Sequence, residues 1–140
     1  MRNTARTVTI AATALVGIAV GAAQCADAAT SNDVTVTVER VVDGDTFVIS
    51  PELNGSDRVR PLGIDTPETW KTVECYGPEA TAYAAELLPI GSTVTLTYDS
   101  IQPVTDNYGR TLAYVTMQDG TDFSTAMAAA GMADSTSFNI

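Results

Sequence analysis

The 140-residue chain carries seven lysines and arginines against seventeen acidic residues, a formal net charge of −10, and contains no histidine. Such a length gives room for one domain, and so acidic a balance excludes a protein that coats nucleic acid by bulk charge, because such binders are basic. The missing imidazole excludes Ser-His-Asp hydrolysis, paired-histidine ribonuclease chemistry and histidine-ligated metals.

The chain opens with Arg2 and Arg6, then an apolar run from Val8 to about Ala23, then Ala26-Asp27-Ala28. A basic start, a short apolar stretch and an A-x-A site predict a secretory signal peptide over residues 1–28, cleaved after Ala28, and hence an extracellular protein. A retained membrane anchor is the competing reading, since the run falls only a little short of the roughly 20 residues that span a bilayer. Ala-Ala-Gln before Cys25 is a poor match to a lipoprotein site. Residues 29–140 then form the domain, with five basic residues against sixteen acidic ones. Cys75 is its one cysteine, which excludes an internal disulfide and a cysteine-built zinc site.

Val34 to Val38 alternates as a half-buried strand does, and the phase breaks at Val41-Val42, which predicts a bulge. Asp43-Gly44-Asp45 reads as a tight turn and Thr46 to Ile49 as a second strand. Pro51, Asn54 and Gly55 mark the next turn, and Val59 to Ile64 the third strand. After a loop from Asp65 to Tyr76, Gly77-Pro78-Glu79 opens a helix whose apolar residues Ala80, Tyr83, Ala84, Leu87 and Leu88 share one face. Pro89 and Gly91 stop it. Thr93 to Tyr98 and Arg110 to Met117 read as strands flanking a polar loop, and Phe123 to Ala130 as a short helix closed by Gly131. Five short strands with a helix between the third and fourth predict an α+β fold of OB type.

Three segments carry candidate chemistry: Asp43-Gly44-Asp45-Thr46, Arg60 to Glu68, and Asp106-Asn107-Tyr108-Gly109-Arg110. Singly, each also reads as a turn or a cap. Together they set carboxylates and arginines at strand ends and in adjoining loops, where functional groups collect. Asp45, Asp65 and the Thr66 carbonyl offer hard oxygen ligands suited to Ca2+ or Mg2+. Glu68 could orient or deprotonate a water. Arg60 and Arg110 offer planar forks for phosphate oxygens, in an electrostatic role because guanidinium is a poor proton donor.

Taken in order, VVDGDTFVI, VRPLGIDTPE, CYGPEA and DNYGRTLAYV resemble the staphylococcal nuclease (thermonuclease-like) domain, over about Val34 to Ala133. The resemblance implies a five-stranded OB-type barrel with helices, and Ca2+-dependent hydrolysis of DNA and RNA that leaves 3′-phosphates. It implies Asp45, Asp65 and the Thr66 carbonyl as calcium ligands, with Asp43 behind them. It also implies Arg60, Glu68 and Arg110 as the catalytic set, and Tyr108 against the bound nucleotide. Single-stranded DNA or RNA is then the substrate, with no stable protein partner, no membrane association after leader cleavage, and a monomer as the expected state. Three departures stand out. Asn107 replaces a usual lysine, Pro61 sits where leucine is common, and the family's usual final helix is missing before Ile140. The runner-up reading is a nuclease-like barrel that binds nucleic acid or protein without cutting.

Overall fold

The computed structural model describes residues 32–69 and 75–136. The predicted leader lies outside the described residues, among which no helix is long and apolar enough to cross a membrane.

Strands β1 (Asp33–Asp43), β2 (Thr46–Leu53), β3 (Ser56–Pro61), β5 (Thr93–Thr97) and β6 (Thr111–Thr116) close into a barrel in the order β1-β2-β3-β6-β5. All pairings are antiparallel except β3 with β6, which is parallel. Helix α1 (Gly77–Leu87) lies between β3 and β5 in sequence, and α2 (Phe123–Ala129) follows β6. This is the α+β barrel of OB type that the strand pattern predicts.

Alternation explains the core. Val36, Val38, Phe47, Ile49, Val59, Val94, Leu96, Ala113 and Val115 point inward and are buried, joined by Ala80, Ala84 and Leu88 from the α1 region and Phe123 and Met127 from α2. Phe47 meets Phe123 edge to face at 6.4 Å. The bulge expected near Val41 is present: β1 slips register against β2 between Val38 and Arg40 and again between Val41 and Asp43. An extra residue bends a strand and increases its twist, and here the bends lie where β1 approaches the Asp43–Asp45 turn.

Three local readings change. Pro51 lies within β2 rather than ending it, in a stretch where the β2–β3 register is irregular, as a residue without a ladder N–H requires. The third strand begins at Ser56 and ends at Pro61. Pro61 is accommodated at that end, opposite Ala113, and the next bond to β6 comes from the Leu62 N–H. Gly63, at φ +89°, then turns the chain into the two-residue strand β4 (Ile64–Asp65). That strand pairs with β7 (Asp134–Ser135), which the sequence pattern does not reveal.

Candidate active site

The site gathers on the outer surface of the barrel, where the β1–β2 turn, the end of β3, the loop after β4 and the start of β6 meet. Asp45 is held on both carboxylate oxygens. Its Oδ2 accepts the Thr66 N–H at 3.0 Å and pairs with Arg60 Nη2 at 3.2 Å, while Oδ1 accepts the Thr46 hydroxyl at 3.4 Å. Asp65 Oδ1 accepts the same Arg60 Nη2 at 3.0 Å, so one guanidinium nitrogen lies between two aspartates. Arg60 Nη1 donates to the carbonyls of Pro61 and Ile64 at 3.0 and 2.9 Å, which fixes the turn between β3 and β4. Asp45 and Arg60 are buried, whereas Asp65 keeps 64% of its side chain exposed.

Two glycines allow this closeness. A Cβ on Gly44 would stand 2.8 Å from the Thr66 side chain, and one on Gly77 would stand 2.9 Å from the Glu68 carbonyl oxygen. The loop carrying Thr66, Pro67 and Glu68 is therefore clamped between the β1–β2 turn and the start of α1 at positions that exclude any larger residue.

Asp43 accepts the Asp45 backbone N–H at 3.2 Å. Burial, reinforced by the negative charge of Asp45, holds the Asp43 carboxyl above its ordinary range.

Arg110 is positioned differently. Its Nε donates to Asp106 Oδ2 at 2.7 Å, its Nη1 donates to the Thr46 hydroxyl at 3.1 Å, and the Tyr108 ring centre lies 5.5 Å from its guanidinium carbon. Among the described residues its Nη2 makes no hydrogen bond. Asp106 organises the loop: its Oδ1 accepts the N–H groups of Tyr108 and Arg110, both at 2.9 Å. Burial alone would raise this carboxyl, but the Arg110 N–H, the Arg110 guanidinium and the Tyr108 N–H together hold it below its ordinary value. Tyr108 is 86% exposed beside this fork.

Of the residues singled out in the sequence, Asp43, Asp45, Arg60, Asp65 and Thr66 thus form one bonded cluster, and Arg110 joins it through Thr46. Glu68 follows the clamped Thr66-Pro67 segment and is itself exposed. The sequence pattern missed Thr46 and Asp106 as positioning groups. Both lie in the quoted motifs, but a strand-initial threonine and a turn aspartate carry no local mark of that role.

The oxygen donors here are of the kind a hard divalent cation takes. No group of three or more acidic or thiol side chains suited to a metal occurs among the described residues, and a cation bound here would have to draw on Asp45, Asp65, a main-chain carbonyl and water.

A closed barrel carrying one buried and one exposed carboxylate and two differently held arginines on its outer face presents forks whose geometry matches phosphate oxygens. The family model for staphylococcal nuclease homologues matches residues 58–139, more than half of the sequence, and the chain belongs to that family. It is 44% identical over 85 residues to a thermonuclease of Staphylococcus intermedius, covering 59% of this chain and 48% of that protein. It is 41% identical over 88 residues to a thermonuclease of Staphylococcus hyicus, covering 61% and 50%. With endonuclease YncB of Bacillus subtilis it shares 43% identity over 86 residues, covering 59% and 39%. The chain spans about half the length of the thermonucleases it matches.

Proposed function

We propose that the chain is a secreted, Ca2+-dependent nuclease that hydrolyses phosphodiester bonds of single-stranded DNA and RNA, leaving 3′-phosphates. The observation that carries this reading is the pairing of a carboxylate cluster, Asp45 and Asp65, with the open fork of Arg110. One region suits a hard cation and the other a phosphate oxygen, and Thr46 links the two. Family membership and the thermonuclease and endonuclease relatives support the same reaction class.

Asp45, Asp65 and the Thr66 carbonyl would hold the calcium ion, which supplies charge neutralisation at the phosphoryl group. Arg110 binds a non-bridging oxygen through its unoccupied Nη2 edge and stabilises the charge that grows there in the transition state. Arg60, committed to protein partners, bridges the two aspartates and lends positive charge at short range. Glu68 takes a proton from the attacking water. Protonation of the departing oxygen is left to solvent, since no histidine exists in the chain. Tyr108 offers an exposed ring for a base to lie against. Because these contacts address phosphate and base faces, cleavage is expected to show little sequence preference.

Calcium titration followed by thermal unfolding tests the ion assignment. A ligand that binds only the folded state raises the midpoint, so the wild-type midpoint should climb with calcium and the Asp45→Ala midpoint should not. An equal climb in both rejects Asp45 as a ligand. Analysis of the product ends gives the bond cleaved, and 5′-phosphates would contradict the proposed position. Sequencing the amino terminus of exported protein should begin at Ala29; an intact leader would favour the anchored form.

A further inference from the structure

Arg40 and Arg58 remain outside the site described above. Both side chains are exposed, and neither guanidinium makes a hydrogen bond or ion pair among the described residues. In a domain of residues 29–140 with only five basic side chains, two unpaired arginines are a large share of the positive charge. Cross-strand register explains their placement. Arg40 on β1 stands opposite Val48 on β2, and Val48 stands opposite Arg58 on β3, so the three form one row across three strands.

The row faces the same way as the active site. Val59 is fully buried inside the barrel, and strand alternation therefore puts Arg58 and Arg60 together on the outer face of β3. Thr46 shares that face of β2 with Val48, since the residue between them, Phe47, points into the core. The Arg40–Val48–Arg58 row thus lies one outward step from the Thr46–Arg60 row, roughly 7 Å along the strands. That is the scale of one nucleotide unit in an extended strand. Neighbouring acids do not neutralise it by pairing. Asp57 falls on the opposite face of β3 from Arg58 by alternation, and Glu39, exposed in the β1 bulge beside Arg40, makes no ion pair with it among the described residues.

We propose that Arg40 and Arg58 form a second phosphate-binding row, which receives the backbone of a single-stranded nucleic acid one nucleotide or so beyond the bond being cut. The proposal rests on the nuclease reading. Charge complementarity argues for this occupant: Arg110 and the cation site serve the scissile phosphate, and the next positive charge on the same outer face is this row. A strand laid from one to the other stays on a single barrel surface. It also explains how an acidic protein keeps hold of a polyanion. The cations are few, and four of them share one face.

The test is salt-dependent binding of a fluorescent oligothymidylate in the presence of calcium, with Glu68→Gln as the common background so that the probe stays whole. For single strands the slope of log affinity against log salt is about −0.7 per phosphate neutralised. Adding Arg40→Gln and Arg58→Gln together should flatten the slope by about 1.4, and each alone by about half that. Arg40→Lys with Arg58→Lys should restore the slope, because counterion release depends on charge rather than on the fork. Unfolding midpoints of all variants show whether the barrel is intact. Binding with an unchanged slope in the folded double Gln variant overturns the second row while leaving the nuclease reading in place. No salt-dependent binding by the background protein, with no cleavage by the wild type, overturns both.

Discussion

Arg60 and Arg110 stand on the two sides of one site and are held in opposite ways. Arg60 is buried and committed: two carbonyls on one terminal nitrogen, two aspartates on the other. Arg110 is held along one edge by Asp106 and Thr46 and keeps an open edge beside an exposed tyrosine. The same residue type therefore does two jobs. The first ties the carboxylate cluster and the β3–β4 turn into the fold, and the second leaves a donor edge uncommitted. Sequence position does not distinguish them, but hydrogen-bond saturation does.

The largest expected effect breaks the committed side. Arg60→Met leaves Asp45 buried without its counter-charge, and losing one partner of a buried pair costs about 3–5 kcal/mol. Urea unfolding should show that loss, and a change within ordinary surface scatter would mean that Arg60 contributes little to the fold. The open side should respond in rate instead. Arg110→Lys retains charge but loses the planar fork, and cleavage is expected to fall about 100- to 1000-fold, with much less effect on stability than Arg60→Met. A large stability loss with near-normal turnover would reverse the two assignments.

Thr46→Val sharpens the comparison at the link. It keeps the shape of a buried side chain but removes the hydroxyl that joins Asp45 to Arg110. A loss of roughly 10-fold in kcat is expected, on the order of one hydrogen bond, with Thr46→Ser restoring most of it. Equal effects of Val and Ser would point to packing rather than the hydroxyl. The smallest effect concerns acid. The Asp106 carboxyl is held below its ordinary value of 3.8, so its stabilising contribution is complete above that value and disappears as pH falls through the lowered one. Wild-type melting midpoints should therefore drop in that acid range more than those of Asp106→Asn. Parallel profiles would show that Asp106 does not carry this dependence.

Much of the barrel is legible in the sequence because alternation at Val34–Val38 and the helical face Ala80–Leu88 are local signals. The β1 bulge is visible for the same reason, as a break in phase at Val41-Val42. The pairing of β4 with β7 is not legible, since two-residue strands such as Asp134–Ser135 have no periodicity of their own. Nor is the need for Gly44, which reads as an ordinary turn glycine until Thr66 arrives against it from a distant loop. The ligand and catalytic candidates stand out through their motifs. Their division of labour depends on tertiary hydrogen bonds, and the Arg40–Arg58 row depends on a register that the bulge shifts by one residue.

In the function proposed above, this centre cuts phosphodiester bonds with calcium and Glu68. The most direct test is release of acid-soluble nucleotides from single-stranded DNA by the purified chain, with calcium and with chelator, beside Glu68→Gln. Cleavage should require calcium and fall by orders of magnitude in the mutant. Cleavage that persists in chelator, or a folded Glu68→Gln protein that cuts at the wild-type rate, would contradict it.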